Sequence, residues 1–140
     1  PTGTIVVAVV DPGVGSSRRA IAAEIGSWTF VGPDNGLFTG VLRRWPLIRA
    51  VELTNSQYHR AGRSMTFHGR DIFCPVAAHI ARGVALESLG PILTTPLVTR
   101  PDLEPRAEGS RIFGRVLWID HFGNAITTIR RATVEAAFGS

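Results

Sequence analysis

The sequence predicts an α/β fold, an amino-terminal sheet domain carrying a helix and followed by a small all-β unit, and three observations predict it. Thr4 to Val10 is a β-branched run without polar interruption, the pattern of a strand buried on both faces in a parallel sheet. Ile72 to Gly83 places Ile72, Val76, His79 and Ile80 at helical spacing. Arg111 to Ile119 alternates apolar and polar residues, then passes through the turn-dense Asp120-His121-Phe122-Gly123-Asn124 into Ala125 to Ile129, which reads as a β-hairpin.

The remaining elements follow in order. After Asp11-Pro12-Gly13-Val14-Gly15, strands are expected at Ala20 to Ile25 and Trp28 to Val31, with Gly26-Ser27 as their turn. Gly32-Pro33-Asp34-Asn35-Gly36 is rich in turn formers, and Asp34 or Asn35 can cap a short helix running through Trp45, ended by Pro46. Ile48 to Leu53 reads as a strand and Thr54 to Thr66 as an exposed polar loop. Asp71 is the expected N-cap of the helix over 72–83, Pro75 sits in its first turn, and Gly83 stops it. Thr94 to Gly109 gathers Pro96, Pro101 and Pro105 with charged residues and no apolar periodicity. This gives a first domain over 1–98, a linker over 99–110 and a second domain over 111–140.

Composition removes several classes of function. With 44% apolar and 19% charged residues over 140 positions, the chain has enough apolar material for a core. Its longest apolar run, Ile5 to Val10, is far short of the roughly 20 residues of a membrane-spanning helix. No charged and apolar leader opens the sequence, so the cytoplasm is the expected location. Cys74 is the one cysteine and can form neither an internal disulfide nor a zinc cluster by itself. The four histidines show no two-histidine spacing with a carboxylate that would hold a metal. All 15 basic residues are arginine, giving a net charge of +4, yet they occur singly or in pairs rather than in a basic run, which argues against a nucleic-acid partner.

Three constellations can carry chemistry. Asp11 stands at the carboxyl end of the first strand, where open α/β sheets bind ligands, with Arg18 beyond a glycine-rich loop. That loop matches neither G-x-G-x-x-G nor a G-K-[ST] ending, so a nucleoside triphosphate site is disfavoured; as plain local structure it is a turn beside a solvated arginine. His68, in Phe67-His68-Gly69-Arg70-Asp71, precedes a helix N-terminus whose dipole favours the neutral ring, while Gly69 permits close ligand approach. A histidine bonded only to its own loop, beside an Arg70–Asp71 ion pair, fits equally. Asp120, Phe122 and Asn124 can offer a carboxylate, a ring face and an amide edge, or simply satisfy a hairpin's turn geometry.

Taken in order, Asp-Pro-Gly-Val-Gly with a following Arg, Gly-Pro-Asp-Asn-Gly-Leu, Thr-Phe-His-Gly-Arg-Asp-Ile-Phe and Ile-Asp-His-Phe-Gly-Asn-Ala-Ile-Thr-Thr-Ile resemble the S-adenosylmethionine (SAM) hydroxide adenosyltransferases, or SAM hydrolases, relatives of the SAM-dependent fluorinase and chlorinase. The resemblance runs from Thr4 to Ile129. It implies an α/β domain followed by a small β-barrel domain, a homotrimer, and SAM held between the first domain of one subunit and the second of its neighbour. The implied reaction converts SAM and water to adenosine and methionine, with SAM as substrate and no cofactor. By the same resemblance Asp11, Arg18 and His68 form the catalytic set, and retention of all three implies water rather than halide as nucleophile. Asp120 is expected to meet the methionine ammonium, Asn124 the adenine edge and Phe122 the ligand, while Phe67 and Gly69 line the pocket near the ribose and reacting carbon. Against the family pattern the leading strand–helix portion and most of the barrel beyond Asn124 are absent, so the expectation is two incomplete domains whose uncovered edges favour oligomerisation. Other classes stay open: a halide-using relative, a silent SAM- or adenosine-binding module, and an arginine-rich nucleic-acid binder.

Overall fold

The computed structural model describes residues 1–100 and 104–139. They divide into two compact units, Pro1–Thr99 and Arg100–Ser140. Part of the expected linker, positions 101–103, lies outside the described residues.

The first unit is built on a four-stranded sheet in the order β1-β3-β2-β4, formed by β1 (Ile5–Val7), β2 (Ala20–Ile25), β3 (Trp28–Pro33) and β4 (Leu47–Glu52). β1 runs parallel to β3, while β2 is antiparallel to both β3 and β4. Gly26, at φ 59°, makes the tight β2–β3 turn that the sequence predicts. The run Thr4–Val10 shortens to the three residues of β1, and the strands buried on both faces are β2 and β3 instead. The reason is position: among the described residues no strand pairs with the other edge of β1, and Val10 is 68% exposed. At the opposite edge, residues 91–93 pair with β4 through Glu52 N–H to Pro91 O and Leu93 N–H to Ala50 O.

Alternation along β2 sends Ala22 to one face and Ile21, Ala23 and Ile25 to the other, producing two apolar layers. The first packs α2 (Cys74–Ala81) against Val31, Val51 and Leu53; the second holds Phe30, Phe38 and Leu97. Gly83, at φ 89°, ends α2 as expected. Asp71 does not cap it. The helix begins earlier, in a π-helical turn over Gly69–Phe73 where Cys74 N–H reaches back to Gly69 O, and Asp71 lies buried inside that turn. The helix expected through Trp45 is only α1 (Thr39–Leu42), preceded by Phe38 without a side-chain cap. Asn35 closes a local turn by accepting from Leu37 N–H, and Asp34 is taken by Arg19 and by Val98 N–H, so neither is free to cap.

The second unit contains β5 (Arg106–Glu108) paired with β6 (Arg111–Phe113), β7 (Val116–Ile119) paired with β8 (Ala125–Thr127), and α3 (Arg131–Phe138). The expected hairpin is β7–β8. β5 lies within the stretch read as linker, because Gly109, at φ 56°, turns the chain back and lets Arg106–Glu108 pair with β6. Two separate two-stranded sheets form among the described residues, with no closed barrel. No described helix is long and apolar enough to cross a membrane.

Candidate active site

The carboxyl ends of β1, β3 and β4 and the start of β2 lie at one end of the sheet, since β1 is parallel to β3 while Ala20 pairs with Pro33 and Ile21 with Glu52. Charged residues gather there: Asp11 after β1, Arg18 and Arg19 before β2, Asp34 after β3 and Glu52 ending β4. Strand ends expose backbone and free the side chains that follow from sheet packing, so the crevice beyond them can hold polar groups that the apolar layers cannot.

Residues 11–18 fold back on themselves through Val14 N–H to Asp11 O and Ser16 N–H to Gly13 O, which returns Arg18 to Asp11. The two form a buried forked pair: Nε of Arg18 lies 3.1 and 3.0 Å from the two Asp11 oxygens, and Nη2 lies 2.5 Å from Oδ2. Their side chains are 9% and 4% exposed. Nη2 also lies 2.7 Å from Nδ1 of His68, and the guanidinium carbon sits 5.4 Å from the centre of the Phe73 ring. Three side chains from separated stretches of the sequence therefore form one connected set.

The chemistry of the donors fixes the histidine. An arginine has no acceptor, so Nδ1 of His68 accepts, and the neutral ring carries its proton on Nε2. Burial first, then the positive charges of Arg18 and Arg63, hold the His68 pKa below the ordinary histidine value against the opposing pull of Asp11 and Asp71. The direction matches the sequence reading, but the leading cause is burial, not the helix dipole.

Arg18 and His68 line a cleft of about 350 Å³ together with Glu52, Thr54, Arg63 and Met65. Glu52 follows the same strand-end rule that singles out Asp11. Arg63 and Met65 belong to the loop read as merely exposed, where no periodicity or turn signal marks them. Phe67 and Gly69 are not among the lining residues: Phe67 is 58% exposed with Arg70 over its ring, and Gly69 faces Val9, whose Cγ1 would lie 3.0 Å from an added Cβ. The expected Arg70–Asp71 pair forms, at 2.7 Å. Among the described residues no group of His, Cys, Asp or Glu is placed to hold a metal ion.

In the second unit Asp120 closes its own hairpin. Its Oδ1 accepts from Phe122 and Asn124 N–H, and its Oδ2 accepts from the Asn124 side-chain amide at 2.9 Å. These bonds, led by that from Asn124, lower the Asp120 pKa. Phe122 is 78% exposed, with the His121 ring 3.7 Å away.

Over most of its length the chain is 48% identical to the (R)-S-adenosyl-L-methionine hydrolase of Thermus thermophilus, covering 96% of this chain and 54% of that protein. It is 29% identical to a fluorinase of Actinopolyspora mzabensis, over 98% of this chain and 54% of the relative. The chain thus spans about half the length of the curated relatives it matches. A crystal structure of an uncharacterized conserved protein from Thermotoga maritima superposes with a TM-score of 0.76 at 39% identity, over 92% of this chain and 49% of that one. Residues 1–90 match the N-terminal domain of the SAM hydroxide adenosyltransferases, and the chain belongs to that family.

Proposed function

We propose that this chain hydrolyses SAM to adenosine and methionine, and that Asp11, Arg18 and His68 prepare the water. The observation that carries the reading is the Asp11–Arg18–His68 connection, of which Arg18 and His68 line the cleft beyond the strand ends while the buried Asp11 carboxylate is not among its lining residues. The water oxygen attacks the ribose C5′ as the C5′–S bond breaks, its electron pair returning to sulfur to give the neutral thioether. The cationic charge of the sulfonium is lost along this path, so a water-poor site favours it. His68 presents Nε2–H and orients the nucleophile as a donor. It cannot take a proton at Nδ1 without releasing Arg18, which leaves Asp11, with lone pairs to spare, as the acceptor. Nη1 of Arg18, which no described residue engages, adds positive potential that favours hydroxide character.

In this reading the two hairpins of the second unit contribute to a small β-barrel, and a homotrimer brings Asp120, Phe122 and Asn124 of one subunit to the cleft of the next. Asp120 Oδ2 keeps a lone pair for the methionine ammonium and Asn124 Oδ1 one for the adenine amine, while Phe67 and Gly69 flank the ribose. SAM is the substrate and no cofactor is needed; the setting is cytoplasmic, without nucleic-acid or membrane partners.

Asp11→Asn and His68→Ala test this. Each is expected to slow adenosine release by about a hundredfold or more while SAM affinity, read by calorimetry, changes little. Turnover at the wild-type rate in both variants overturns the assignment. The same incubations with added chloride or fluoride distinguish water from halide, since a 5′-halo product replacing adenosine would transfer the chain to the halogenating branch.

A further inference from the structure

The loop that delivers His68 is tied at a point the proposed reaction does not use. Asp71 is fully buried, yet it lies in the π-helical turn with polar contacts on every side. Its Oδ1 accepts from Nε of Arg70 at 2.7 Å and faces Arg60 at 3.7 Å. Its Oδ2 accepts from Ser64 N–H at 2.8 Å and from Nη2 of Arg70 at 3.0 Å. Its backbone is tied too: its carbonyl accepts from Arg60 N–H at 2.8 Å, and its own N–H donates to Phe67 O at 2.9 Å. One residue thus gathers the start, middle and end of loop 60–71.

We propose that Asp71 is a positioning residue for the reaction, its buried carboxylate closing loop 60–71 so that His68 is held against Arg18 and Arg63 and Met65 against the cleft. This rests on the functional reading above for the meaning of His68, but not for the loop closure. The extended polar loop has no apolar core of its own: Ser64 is half-buried, and Arg60, Ala61, Gly62, Arg63, Met65, Thr66 and Phe67 are all exposed. Its shape must therefore come from directed bonds, and a charged acceptor shared by several donors is the strongest kind available. The Arg70 bonds foremost, then the Ser64 N–H bond and the charges of Arg70 and Arg60, hold the Asp71 pKa well below the ordinary carboxylate range. An asparagine would keep the size but turn amide hydrogens toward guanidinium donors.

The test is Asp71→Asn in the intact protein, alone and with His68→Ala, reading adenosine release and the NMR titration of the His68 ring. The charged groups acting on that ring are Arg18, Arg63, Asp11 and Asp71. If Asp71 works through His68, the single variant loses about ten- to a hundredfold in turnover with KM nearly constant, and the His68 midpoint moves to lower pH because a negative neighbour is gone. In the His68→Ala background the same substitution then costs nothing more. An unmoved His68 titration, with an equal loss in both backgrounds, overturns the proposal. Wild-type turnover of His68→Ala alone sinks the functional reading instead, while amide hydrogen exchange of residues 60–68 in Asp71→Asn decides the loop closure by itself: faster exchange supports it and unchanged exchange overturns it. Should Asp71→Asn fail to fold, Arg70→Gln, which removes two of the bonds at an exposed position but leaves the Asp71 charge in place, is expected to lose turnover in the wild-type background and nothing further in His68→Ala, without the downward shift of the His68 midpoint; an equal loss in both backgrounds overturns the proposal.

Discussion

Arg18 has its Nε and Nη2 committed to protein partners, and that commitment shapes the chemistry of the site more than the identity of any one neighbour. Which imidazole nitrogen bears the proton is set by a contact across fifty positions of sequence, which no local pattern encodes. Burial adds a pH dependence. His59 has both ring nitrogens buried without a partner among the described residues, and its pKa, like that of His68, is held below the ordinary value of 6.5 mainly by burial. For a base held neutral by the fold, the unfolded chain binds the proton first on acidification. The stability these histidines contribute is complete above about pH 6.5 and falls as pH drops toward their depressed folded values. Thermal midpoints measured between about pH 8 and pH 5 are expected to decline on the acid side, and His59→Gln to flatten that decline. An equal slope in the variant would remove His59 from the account.

Between residues and fold stand the two loops that meet at the site. Gly15 has φ 78°, and an added Cβ would sit 2.9 Å from the Met65 carbonyl, so this glycine is where loop 11–18 approaches loop 60–68. Gly15→Ala is expected to cost about 1–2 kcal/mol in the left-handed backbone alone, and to slow turnover at least tenfold by parting Arg18 from His68. Unfolding curves and adenosine assays on one preparation check both effects. The strands around Gly26, helix α2 with its Gly83 stop and the β7–β8 hairpin are legible in the sequence because each has a period or a turn residue of its own. The π-helical turn and β5 are not, and of α1 the presence is legible while its short extent and missing cap are not. Asp34 reads as a cap until Arg19 and Val98, distant in sequence, claim its carboxylate. Asp71 reads as a cap for the same reason and is claimed by Ser64 and Arg70.

At the scale of the molecule, motif order announced the site more clearly than any periodicity did, because Asp11, Arg18 and His68 have no spacing rule that joins them. What joins them is a sheet whose strand ends coincide. The proposed homotrimer carries its own prediction: Asp11→Asn and Asp120→Ala proteins, each slow alone, are expected to recover part of the wild-type turnover when refolded together, since mixed trimers contain some sites with both wild-type halves. No recovery, in a preparation that sedimentation shows to be mixed, would place each site within one subunit. The forked pair beneath the imidazole has a further bearing on how such a protein can change. Removing the carboxylate strands a buried cation, which in other proteins costs about 3–5 kcal/mol, whereas exchanging the ring for another uncharged side chain strands none. The foundation is costly to disturb and the cap is cheap, so substitutions at position 68 are expected to leave the thermal midpoint nearly unchanged, whereas those at position 11 lower it.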